Sequence, residues 1–202
     1  MLCDENKEAW EDTVMNQYYN AGAGLKKMFI GQVGAIVCTI LAIIPFVGII
    51  GGTGALVFAV VSLVGLYGAG KDIAGCRTAF FLQMLAIVLS VFSMFFAGNW
   101  PMLVLFNTAD SILSFLIVYF VCNSVSDVML AVGADDTAKK GRTVWRVNLL
   151  CYIATIVILL FSFVPIVNVI AAVASLAVMI VSVVAAIMFM LFLNKSYLAL
   201  GA

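Results

Sequence analysis

Between Lys27 and Lys71 the chain runs for 43 residues without one charged side chain. As a single helix this stretch would measure about 65 Å, twice the roughly 30 Å of a bilayer's hydrocarbon core. One crossing is therefore excluded and two crossings of about 20 residues fit. A fold-back belongs near the middle, where Pro45 precedes Gly48, Gly51, Gly52 and Gly54. Proline disfavours helix before it, glycine permits a tight return, and Thr53 offers a cap for the second helix. The stretch reads as a transmembrane helical hairpin over 28–70.

Two further stretches have the same form. Residues 78–126 contain one charge, Asp110, and one proline, Pro101. The third, within 145–193, has one proline, Pro165, and only Arg146 near its start. The chain holds three prolines in all, one per hairpin. Pairing Pro45 with Pro165 sets Ile36 against Ile156, Leu56 against Leu176 and Ser62 against Ser182, which suggests an internal repeat.

Composition agrees. Hydrophobic residues make up 65% of 202 and charged residues 10%, against about 25% in soluble domains. The expected fold is an all-α transmembrane six-helix bundle of three consecutive hairpins, with crossings at 28–45, 53–70, 78–97, 108–126, 145–164 and 168–193. Residues 1–24 form a separate cytoplasmic segment, and 25–202 the single membrane domain. In the first segment Trp10, Val14 and Tyr18 share one helical face, which predicts an amphipathic surface helix. Ala21-Gly22-Ala23-Gly24 reads as a hinge, and the acidic start before Met28 argues against a cleavable signal peptide.

Given six crossings, all ten basic residues fall on the side of the N-terminus. The positive-inside rule then places both termini in the cytoplasm, N-in/C-in, with 127–146 as the largest cytoplasmic loop. The localisation expected is an integral membrane one, with the basic loops on the cytoplasmic side.

Candidate chemistry is sparse. Histidine is absent, which removes the commonest general base and metal ligand. The five cysteines form no C-x-x-C pair. Gly65 to Asp72 imitates a phosphate loop, but Asp72 stands where magnesium needs a hydroxyl, and no strand precedes it. With neither paired carboxylates nor a nucleophile–base pair, the chain reads as a non-enzyme without cofactors. The basic residues fit membrane flanks rather than nucleic acid.

Asp110 is the one charge away from the basic side. It has two readings. With a helix start at Asn107 or Thr108 it complements the dipole from the first turn; with a start at Met102 it lies about two turns in and marks a route. Asp110, Asn107, Gln83, Asn148 and Gln32 are the candidate polar route. Gly31, Ala35, Ser62, Ser90, Thr155 and Ser182 are the candidate packing seam, since small residues let membrane helices approach closely.

The three short-loop hairpins, with a proline at each outer fold-back and cationic inner loops, resemble the HdeD-like group of small six-helix membrane proteins. The resemblance covers 26–195 as topology. It implies a bacterial inner-membrane protein without enzymatic activity. Two functions follow as expectations. The first is a non-catalytic protein acting by association in the lipid bilayer, as a homo-oligomer or with a membrane-protein partner. The second is a small transporter or channel for a proton, cation or small solute, with Asp110 on the route.

Overall fold

The computed structural model of the chain describes residues 17–42, 48–96, 98, 100–161 and 168–201. Six helices are present among them, with no strand: α1 Tyr19–Ala42, α2 Gly48–Ala69, α3 Ala74–Phe95, α4 Trp100–Ala131, α5 Asp135–Phe161 and α6 Asn168–Ala199. Within them Ala74–Ser93, Thr108–Ala131 and Val173–Ala199 are long and apolar enough to cross a membrane. The protein is an integral membrane protein.

Consecutive helices run antiparallel. Gly24 faces Ala69 and Gly31 faces Ser62 across α1 and α2. Ser90 meets Asp110 across α3 and α4, and Phe115 meets Tyr152 across α4 and α5. Each helix packs on the next, and α6 returns to α1, where Phe29 and Tyr197 lie 5.9 Å apart. The result is a closed ring, crossed only by a light α4–α6 contact among the pairings described. The turns at 70–73 and 132–134 share one end with the start of α1 and the end of α6. The described lysines and arginines all lie toward this basic end.

The tightest pairing is α1 on α2, and glycine makes it possible. A Cβ on Gly24 would strike the Ala69 amide and the Gly65 carbonyl, while one on Gly65 would approach the Met28 amide at 2.6 Å. Ala21 to Gly24 are therefore continuous helix at a close crossing, a correction to the expected hinge. The hinge reading rested on glycine's flexibility, whereas here its lack of a side chain is what matters.

Burial is uneven along the ring. Leu25, Leu66, Cys76, Val121, Val125, Met129, Val144, Phe192 and Leu193 form one cluster, all toward the basic end. Beyond it, Phe92, Phe95, Leu105, Leu176, Met179 and Ile180 are exposed. Among the described residues the largest fully buried side chains all lie toward the basic end.

Several helix limits differ from the sequence expectation. The segment 127–146, expected as a long loop, is almost wholly helical, because α4 continues to Ala131 and α5 begins at Asp135. Gly133, at φ 76°, closes α4: Ala134 N–H donates to the Met129 carbonyl at 2.7 Å and Gly133 N–H to that of Leu130 at 3.1 Å. Asp135 and Asp136 then occupy the first turn of α5, where the dipole favours them. Pro101 lies in the first turn of α4, where its missing N–H costs no hydrogen bond. The amphipathic reading of residues before 17 and the Pro45 and Pro165 fold-backs lie outside the described residues.

Asp72, in the α2–α3 turn, is tied to the start of α1. Its carboxylate accepts from Ala21 N–H at 2.8 Å and from Asn20 Nδ2 at 3.3 Å. Ala21 is the third residue of α1, so its N–H lacks a partner within the helix, and the charge suits the positive helix end. Asp72→Ala should lower the thermal midpoint in detergent, at a cost of about 1 kcal/mol, with Asp72→Asn retaining part of the bond.

Candidate functional site: a polar cavity inside the helix ring

Just beyond the buried cluster lies a cavity of about 160 Å³. Its walls are Met28 and Gln32 from α1, Ser62 and Leu66 from α2, Gln83 from α3, Ser114, Ile117 and Val118 from α4, and Phe189 from α6. Five of the six helices contribute, as a ring geometry requires. Apolar Leu66, Val118 and Phe189 shape it, and four polar side chains face it. Ser62 Oγ has the Met28 carbonyl at 3.5 Å. The amides of Gln32 and Gln83 make no hydrogen bond to the described residues. An amide in apolar surroundings needs partners, so the cavity suits water or a polar solute. Ser114 is exposed, and the cavity therefore opens outward rather than being sealed.

Gln32 sits five residues past Lys27 and Gln83 six past Arg77, which sets both amides about 8–9 Å from the basic rim along their helices. Asp110 is one helical turn from Ser114 on the same face of α4, away from that rim. It lies ten residues past Trp100, or about 15 Å into the helix. The expectation that Asp110 complements the dipole from the first turn is thereby corrected. Pro101 lies within the first turn of α4 instead of preceding it as part of a longer loop, so the helix starts well before Thr108.

Ser90 Oγ lies 3.5 Å from Asp110 Oδ1, at the long limit of a hydrogen bond. Ser93 Oγ in turn donates to the Ser90 carbonyl at 2.8 Å. The Tyr152 hydroxyl is buried and has no hydrogen-bond partner among the described residues. Tyr152 is held by Phe115, with ring centroids 5.4 Å apart. A carboxylate and a serine thus meet between α3 and α4, on the side of the cavity away from the basic rim.

No family model, curated protein or solved structure matches this chain.

Of the expected polar route, Gln32 and Gln83 line the cavity and Asp110 stands one turn from it. Asn148 does not join them; its Nδ2 donates to the Val144 carbonyl of its own helix at 3.1 Å. Asn107 lies on α4, and its side chain is outside the description. Of the expected seam, Gly31 and Ser62 meet between α1 and α2, and Ala35 lies half-buried one turn further along α1. Ser90 instead turns to Asp110. Thr155 is exposed and bonds the Cys151 carbonyl of its own helix at 2.8 Å, and Ser182 is exposed on α6. Ser114 and Tyr152 were missed. Ser114 carried a usable signal, four residues after Asp110. Tyr152 carried none, because its place against Phe115 comes from the packing of α5 on α4.

The described residues hold no group of three metal-ligating side chains. Nor do the cavity walls pair a nucleophile with a base. What the arrangement offers is hydrogen bonding and one negative charge, a means of passing or holding a polar species.

Proposed function

We propose that the protein is a small membrane transporter or channel for a proton, cation or small polar solute. Its six helices cross the bilayer as three hairpins with both termini in the cytoplasm. The route runs from Gln32 and Gln83 past Ser114 to Asp110. The observation that carries this reading is the cavity inside the ring, with two amides from different helices facing it and no described partner. A bundle built only to pack would fill that space with apolar side chains, since each unpaired polar group in an apolar core is costly. A charge within a membrane helix is costly too, on the order of 3 kcal/mol near mid-bilayer, and marks ion pathways.

The repeat supports the same reading, since transporters are often assembled from repeats. The counterparts of Gly24, Gly31 and Gly65 are Val144, Cys151 and Ala185, all buried. The third hairpin would thus repeat the first with larger residues at its crossing.

Flux into vesicles reconstituted with the purified protein tests the proposal. Protein-dependent uptake is expected for protons, a monovalent cation or a small polar solute. Asp110→Asn should lower ion flux about tenfold while leaving the protein folded. Uptake no faster than in empty vesicles for all three classes sinks the reading. The association reading would then stand.

A further inference from the structure

A second concavity, of about 300 Å³, lies at the basic end between the end of α2 and the start of α3. Its walls are Tyr67, Gly70, Lys71, Arg77, Phe80 and Phe81. Chemically it is divided. Lys71 and Arg77 bring two positive charges to its charged side. Tyr67 and Phe81, 57% and 60% exposed, form an aromatic side continuous with the apolar surface of α3. Tyr67 is fixed from both directions: Lys71 Nζ lies 5.5 Å from its ring centre, and the Phe80 ring lies 5.5 Å away.

The two cations would ordinarily be offset by Asp72, their neighbour in the turn. Asp72 is committed elsewhere, with both carboxylate oxygens on Ala21 and Asn20 of α1. Among the described residues neither Lys71 nor Arg77 forms an ion pair. Gly70 lets the backbone of Arg77 come close, since a Cβ there would meet the Arg77 Cα at 2.9 Å, and this holds the two cationic positions together. The first turn of α3 adds to the same field. It has no acidic residue, and its N-cap, Ile73, supplies no side-chain hydrogen bond. α2 and α3 are also the most lightly packed of the sequential pairs, which leaves a wedge open to the surrounding lipid.

We propose that this wedge binds the headgroup of an anionic phospholipid, its phosphodiester between Lys71 and Arg77 and its acyl chains along Tyr67 and Phe81. Charge complementarity selects an anion. The aromatic wall, running onto the apolar face of a membrane helix, selects one carrying hydrocarbon chains over a free phosphate. Basic sites of this kind at the inner leaflet are suited to anionic headgroups.

Native mass spectrometry of the full chain, exchanged into detergent with phosphatidylglycerol or phosphatidylcholine, tests the assignment. One phosphatidylglycerol should be retained per chain, with phosphatidylcholine retained about tenfold less. The double variant Lys71→Gln/Arg77→Gln should lose that preference, while Lys139→Gln/Lys140→Gln, on α5, keeps it. The charge-conserving pair Lys71→Arg/Arg77→Lys should also keep it, which separates loss of charge from loss of fold. Equal retention of the two lipids by the wild type overturns the proposal. So does a charge-neutralised variant that still prefers phosphatidylglycerol, or full displacement of the lipid by millimolar inorganic phosphate.

Discussion

Gly24→Ala should leave little of the chain folded, while Gly68→Ala, on the facing helix, should pass almost unnoticed. The two glycines lie at the same α1–α2 crossing and differ in what a methyl group would meet. At Gly24 the methyl would fall onto the Ala69 amide nitrogen, the Gly65 carbonyl oxygen and the Ala69 Cα, all of them main-chain atoms. These cannot rotate aside, so α1 and α2 must separate as whole helices. Overpacking that side chains can relieve costs about 1–3 kcal/mol, and an obstruction by backbone alone belongs at or above the upper end. At Gly68 the nearest atom is the Gly24 Cα at 3.5 Å, ordinary contact distance. The check is the monodisperse fraction on size exclusion in detergent, with the thermal midpoint of whatever remains. Equal behaviour of the two variants would mean that the crossing is not as close as described.

The second large effect concerns the cavity, and here stability and function should move in opposite directions. Gln83→Leu together with Ser114→Leu replaces two polar walls by hydrocarbon of similar or greater size. The folded protein should be as stable as before or more so, because the unpaired amide of Gln83 is removed and the space is better filled. Flux, in contrast, should fall at least about tenfold, since a permeating polar species loses its hydrogen-bonding partners and meets a dry barrier. Reconstituted flux and thermal midpoint measured on one preparation give both signs. Undiminished flux would remove the cavity from the route, even if the protein transports.

Much of the architecture could be read from residue order. The charge-free lengths set the helix count and the lysines and arginines marked the basic end of the bundle, whereas Pro101 stands inside the first turn of α4 instead of in a loop. These signals are local in sequence, and each follows from the cost of placing charge or an unpaired amide in lipid. The 127–146 segment misled because polar composition was taken for loop. In fact Gly133, followed by Asp135 and Asp136, is a helix stop and a helix start two residues apart. Gly24 misled in a different way. Whether a glycine bends a helix or admits a neighbour depends on what lies across from it, and Ala69 is 45 positions away in the chain. The cavity was half legible: Gln32 and Gln83 stood out as amides in apolar helices. That they face one space, that Ser114 joins them and that Asn148 does not are consequences of helix rotation about the ring. Apolar residues surround all of these positions, so no hydrophobic stripe fixes that rotation in the sequence.

The uneven burial along the ring has a mechanical meaning. Helices whose buried contacts gather toward one end would pivot there like levers, with the cluster of Val121, Val125, Met129, Phe192 and Leu193 as their fulcrum. From that cluster to the far end the arms are about 30 Å long, so a tilt of about 10° at the fulcrum swings the far end by about 5 Å. The cavity sits close to that fulcrum, where such a tilt would displace its walls least.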